Sequence, residues 1–171
     1  ISYSANQPPL AAWVQNTLTD SFLEAYQTFC RPLGHDEADQ FVQEQSKIGA
    51  LLGVVELPQT AADLRSWIVD HPDLAESQAL HQAWDFLRNP PLNTGQLLGY
   101  KILRSAAAAT LPQSLNHLTN TTQSRAAIFA GQRLIGSLRW AMKYSPAWKA
   151  ALDRCGATYD HSKFRSFEDK P

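Results

Sequence analysis

Four side chains suited to site chemistry stand within eight positions of one another near the start of the chain: Trp13, Gln15, Thr17 and Asp20, in "LAAWVQNTLTDS". The helical period puts Gln15 on the side of its helix shared with Leu18, Phe22 and Tyr26, and an amide buried there must find hydrogen-bond partners. Thr17 and Asp20 are three apart, which makes them neighbours on a helix. Aspartate is a poor mid-helix residue, so Asp20 is either solvated or orients a partner such as an arginine. Glu44, at the end of "DQFVQE", is a fifth candidate that could face the same interior. His81 lies one turn before Trp84 on the same side of a later helix. A half-buried histidine there could act as an axial ligand or proton shuttle, although a satisfied core histidine is the simpler reading.

Other motif chemistry is missing. The sequence has no Gly-rich phosphate loop, no H-E-x-x-H and no G-x-S-x-G. His35 and His71 fall in breaks beside acidic residues, where exposed capping is expected, and His117 and His161 are isolated. Cys30 and Cys155 fit no C-x-x-C spacing, so two free thiols in a reducing compartment, the cytoplasm, are expected. No metal-ligand cluster is read from the sequence.

The elements that must position these residues are helical. Leu10, Trp13, Val14, Leu18, Phe22, Ala25 and Phe29 recur every three or four positions, an apolar stripe begun by Asn6, Pro8 and Pro9 and ended by "RPLG". A second helix is expected from about Asp36 to Leu52, closed by Gly53. Thr60 and Asp63 mark the start of a third, with Leu64, Trp67 and Ile68 buried. Asp73 and Glu76 are read as the cap of a fourth helix, which carries Leu80, Trp84 and Leu87 to "RNPP". A fifth runs over 94–110, and a short turn over 112–120. A long helix over 122–144 has small residues at Ala127, Ala130 and Gly131 that would let another backbone come close, and a last helix begins at Pro146. "LLGVVEL" is the best strand candidate and is short. The expectation is an all-α fold: a single multi-helix domain over 1–156, seven to eight helices without significant sheet, and a polar tail over 157–171.

Composition fits a globular chain, with 44% hydrophobic and 18% charged residues. A net charge of -1 gives no electrostatic case for nucleic acid or an anionic membrane. No apolar run is long enough for a transmembrane segment, and "ISYSANQPP" has neither the basic start nor the apolar core of a signal peptide. Because residue 1 is isoleucine, a further upstream segment is expected.

The opening stretch resembles a motif of the MpaB-type oxygenases, the group that includes the latex-clearing rubber oxygenases: Y-D-A-N-D-P-E-L-L-x-W-V-H-x-T-L-x-D-S. Tyr3, Ala5, Asn6, Pro8, Leu10, Trp13, Val14, Thr17, Leu18, Asp20 and Ser21 match it in register. "EAYQTFCRPLGHDEADQFVQEQSKIGALLGV", "LPQTAADL" and "SPAWKAALDR" are similar to further family segments, so the resemblance runs along most of the chain. It implies an all-α fold around haem b and oxygen-dependent oxidation of a hydrophobic organic substrate, which for the rubber oxygenases is cleavage of a polyisoprene double bond. It also implies a proximal histidine ligand, expected upstream of this chain in an H-x-x-V-x-G-like segment. The sequence departs from the family at Gln15, where the motif has histidine, at Gln7 for aspartate and at Gly34 for serine. Glutamine keeps hydrogen-bonding capacity but takes no proton near neutral pH and is a poor iron ligand. Two readings follow: part of a haem-dependent oxygenase, with Trp13, Gln15, Thr17, Asp20, Glu44 and His81 as pocket-lining candidates, or a non-catalytic helical binding or assembly module. The partners expected are the chain's own N-terminal portion or another protein chain, and a hydrophobic small molecule.

Overall fold

A computed structural model describes residues 7–142 and 146–156. The elements are α1 (Pro8–Phe29), α2 (His35–Leu51), α3 (Ala61–Val69), α4 (Gln78–Arg88), α5 (Thr94–Ala109), a single 3-10 turn (Gln113–Leu115), α6 (Asn116–Thr119), α7 (Arg125–Met142) and α8 (Pro146–Cys155). The fold is all-α, and no strand occurs among the described residues. The chain divides into two compact units, Ile1–Ile135 and Gly136–Pro171. Asn6, the expected end of the long helix at Tyr144 and the tail over 157–171 lie outside the described residues.

Local chemistry explains the boundaries. Pro8 opens α1, where its missing N–H costs no hydrogen bond. Pro32 lies just beyond the end of α1, and α2 begins after Gly34, whose N–H donates to Glu37 Oε2 at 3.1 Å. Arg31 grips the same carboxylate with two bonds, 2.9 and 2.7 Å. This two-pronged pair joins the end of one helix to the start of the next. At the end of α2, Val54 N–H donates to Gly49 C=O and Gly53 N–H to Ala50 C=O, with Gly53 at φ +82°. That is a Schellman terminus, and it requires the left-handed residue glycine supplies. It also disposes of the best strand candidate, in keeping with the all-α expectation, since "LLG" is consumed in closing a helix and residues 54–58 pair with no other strand.

α3 starts as expected, with Thr60 Oγ1 accepting from Asp63 N–H at 3.0 Å. The fourth helix does not. Ser77, not Asp73 with Glu76, is its cap: the Ser77 hydroxyl reaches Leu80 N–H at 3.1 Å, while Glu76 stays outside the helix. A hydroxyl three residues before a free helical amide is in reach, and Asp73 is not.

The core of the first unit lies between α1, α2 and α3. Leu23, Ala38, Val42, Leu64 and Ile68 are buried together, with Trp13, Leu33, Phe41, Ala61 and Trp67 packed around them. Two side chains of α2 pin the segment leading into α3: Ser46 donates to Pro58 C=O at 2.7 Å, and Asp39 accepts from Ala61 N–H at 2.8 Å. Further along, a Cβ at Gly131 of α7 would lie 2.5 Å from Ala106 Cβ of α5 and 3.0 Å from the Phe29 ring. The close approach expected of the small residues of α7 is therefore real at this position.

The apolar stripe of α1 is corrected by the structure. The residues it buries are Ala12, Asn16, Thr19 and Leu23. Val14, Leu18 and Phe22, expected inside, are 48%, 49% and 60% exposed. α2 and α3 cover a mixed face of α1 and leave an apolar face uncovered.

Candidate functional site

The motif residues of α1 fall on three sides of the helix. Gln15 faces α2: its amide donates to Gln45 C=O at 3.1 Å and to Thr19 Oγ1 at 3.4 Å, and its methylene carbons lie against Gly49. A Cβ at Gly49 would sit 3.1 Å from Gln15 Cγ and 2.6 Å from Leu57, so glycine there makes room for the glutamine. Asn16, which the periodicity did not single out, is buried and donates to Glu56 C=O at 3.0 Å. Thr17 donates to Trp13 C=O at 2.7 Å within its own helix.

Asp20 does orient an arginine. Arg65 of α3 places Nε 3.1 Å from Asp20 Oδ1 and a terminal nitrogen 2.8 Å from Glu24 Oε2, clamping α3 to α1. Burial raises the Asp20 carboxyl above its usual range, Arg65 partly offsets this, and the nearby Glu24 adds to the rise. Asp20 is therefore a half-buried acid with one specific cationic partner.

The other two candidates are apart from this group. Glu44 is exposed on α2 and accepts a hydrogen bond from Gln40 at 2.9 Å. His81 is exposed on α4 and pairs with Glu76 at 2.9 Å, so it is not the satisfied core histidine expected from its helical position beside Trp84. Cys30 and Cys155 are free and exposed.

The aromatic centre of the unit involves residues the sequence reading undervalued. Trp13, Trp67 and His71 form a mutual cluster, with ring centroids 5.9 Å apart for the tryptophans and 4.9 and 4.8 Å from each to His71. His71 is half-buried, not exposed as expected. Its Nδ1 accepts from Asp73 N–H at 3.2 Å, the capping role foreseen for it, which puts the ring proton on Nε2. The indole N–H of Trp67 donates to Glu56 Oε2 at 3.1 Å. An open recess of about 370 Å³ adjoins these rings, walled by Trp67, His71, Pro9 and Pro72 and edged by Glu56, Asp70 and Asp73. Trp67 and His71 are four apart, a signal in the sequence, but the third ring comes from α1 and only tertiary packing adds it.

The helical fold and the motif bearing α1 place the chain among all-α oxygenase-like proteins. Residues 1–140 match the family model described as the catalytic domain of the ER-bound oxygenase mpaB/B′ and rubber oxygenase. The chain belongs to this oxygenase family. No curated protein and no solved structure matches it.

A haem would need an axial donor on the wall of an apolar cavity. Among the described residues, His35, His81 and His117 are exposed, and His71 is held by Asp73 and two indoles. Gln15 spends its amide on the backbone of α2. No group of three His, Cys, Asp or Glu residues among those described could hold a metal ion. The described residues do not by themselves fit a haem iron, and no chemical step is assigned through one.

Proposed function

We propose that this chain is part of an oxygenase-like oxidoreductase acting on a hydrophobic organic substrate. In this reading the family's haem b is held by an iron ligand from a polypeptide segment other than α1–α8. The observation that carries the reading is the uncovered apolar face of α1. Val14, Leu18 and Phe22 lie exposed on the very helix that bears the family motif. Apolar faces of this length in a globular domain are ordinarily covered, and the ligand-bearing segment is the natural cover. Trp13, Thr17 and Asp20 would then brace the wall of the pocket, with Gln15 holding α1 against α2 behind it.

The test is a UV-visible spectrum of the natively purified full-length gene product, with pyridine haemochrome quantitation. A Soret band at near-stoichiometric haem supports the reading. A folded helical product that stays spectrally flat after incubation with haemin overturns it.

One observation favours a second reading, a helical binding or assembly module without catalysis. Gln15 stands where the motif has histidine and serves as a tie between α1 and α2. This reading expects no haem in the full-length product and a stable partner chain in pull-downs. Gln15→His sharpens the choice. In the oxygenase reading it perturbs the Soret spectrum of the full-length product, and in the second it changes only stability.

A further inference from the structure

We propose that the recess beside Trp67 and His71 binds a small organic cation of the alkylammonium class. The inference does not depend on the oxygenase reading, because none of the motif residues of α1 discussed above lines the recess.

Three features converge. First, two aromatic rings, Trp67 and His71, line the recess together. An indole in a recess attracts a cation through its quadrupole, and tryptophan does so best of the aromatic side chains. Second, the charged residues of the rim are of one sign: Glu56, Asp70 and Asp73 line the recess, and neither lysine nor arginine does. Glu56 is fixed by the Trp67 indole N–H and Asp73 N–H is tied to His71, so two of the acidic residues are linked to the rings they accompany. Third, these carboxylates do not form a metal-holding group. A compact ion such as Ca²⁺ needs several oxygens closing on one point. Carboxylates spread around a recess of about 370 Å³ instead suit a diffuse charge several ångströms across. That volume is in the range of small-molecule sites, and Pro9 and Pro72 supply apolar wall for an alkyl portion. An anion would find no cationic partner among the lysines and arginines, none of which lines this rim.

The test is a titration of the 171-residue chain with (2-hydroxyethyl)trimethylammonium, followed by the indole N–H resonances of its five tryptophans and by backbone amide shifts. The uncharged 3,3-dimethylbutan-1-ol, the same shape with carbon in place of the charged nitrogen, is titrated in parallel. The expected result is saturable shifts centred on the Trp67 indole and the Asp73 amide for the cation, and none for the neutral analogue. Glu56, Asp70 and Asp73 are exposed, so carboxamide swaps there leave the helices intact. Glu56→Gln and Asp73→Asn should each weaken the cation by about threefold to fivefold, the scale of one exposed charge or cation–π contact. Equal binding of the neutral analogue, no saturable shift up to about 20 mM cation, or unchanged affinity in the double carboxamide variant would overturn the proposal.

Discussion

α4 has the more regular amphipathic pattern and buries nothing; α1 has the more ambiguous pattern and buries four residues. In α4, Leu87 is 42% and Phe86 64% exposed, although Leu80, Trp84 and Leu87 recur at helical spacing. In α1, two of the four buried residues are polar, Asn16 and Thr19, while three large apolar residues of the same helix face outward. The contrast teaches that periodicity specifies a helix and offers faces, whereas burial is decided by which face meets a partner. α1 meets α2 and α3 through a mixed face whose polar groups are all answered: Asn16 by Glu56 C=O, Thr19 by Gln15 C=O, and Ser46 across the interface by Pro58 C=O. Answered polar groups can be buried at little net cost, and this is why the mixed face is tolerated inside.

The largest expected effect tests the difference between the regions directly. Leu64→Ala, at a site 1% exposed between α1, α2 and α3, should cost about 3 kcal/mol in urea unfolding, whereas Leu87→Ala in α4 should cost less than about 1 kcal/mol. Equal losses would erase the distinction between the two regions. Asn16→Ala comes next, expected to cost about 2 kcal/mol, because it removes the donor to Glu56 C=O and leaves a small void in the core.

Arg65→Met sharpens the account of the clamp. It should cost about 1–2 kcal/mol at neutral pH, the half-exposed setting limiting the loss. Without Arg65, the Asp20 carboxyl should rise further above 3.8, its usual value. A folded-state value above the unfolded one means the native state binds the proton more readily. The deficit of the variant should therefore shrink as pH falls towards 4 and grow as pH rises to 7, as read by melting temperature across that range.

The smallest effect concerns the Arg31–Glu37 link. Arg31 and the Gly34 N–H hold the Glu37 carboxyl down to about 2, from 4.5. Its contribution is then complete above pH 4.5 and is lost as pH falls towards 2. Glu37→Gln should lower stability slightly at neutral pH, the exposed setting keeping the loss small, and flatten the acid side of the profile so that variant and parent converge towards pH 2. An unaltered acid slope would mean the link carries no stability.

Much of the fold was legible because helix signals are local. Pro8, Thr60 with Asp63, Gly53 and Pro146 each act through their own backbone or an amide three residues away, and each marked a boundary that the structure bears out. The cap of α4 was misassigned because Asp73 with Glu76 imitates the spacing that Ser77 in fact satisfies. The site was less legible. Asp20 suggested an arginine, but nothing local pointed to Arg65, which lies 45 positions away. His71 looked like an exposed cap because its two tryptophan neighbours come from different helices.

The sequence by itself determined the helices, most of their ends and, through the motif in α1, membership of the oxygenase family. These depend on side chains acting within a turn or two of their own backbone, or on identities in register. Only the tertiary structure decided which face of α1 is covered, that Gln15 ties α1 to α2, and that Trp13, Trp67 and His71 meet. Those outcomes depend on contacts between residues far apart in the chain, where the winning arrangement is one that answers the buried Asn16, Thr19 and Ser46 together.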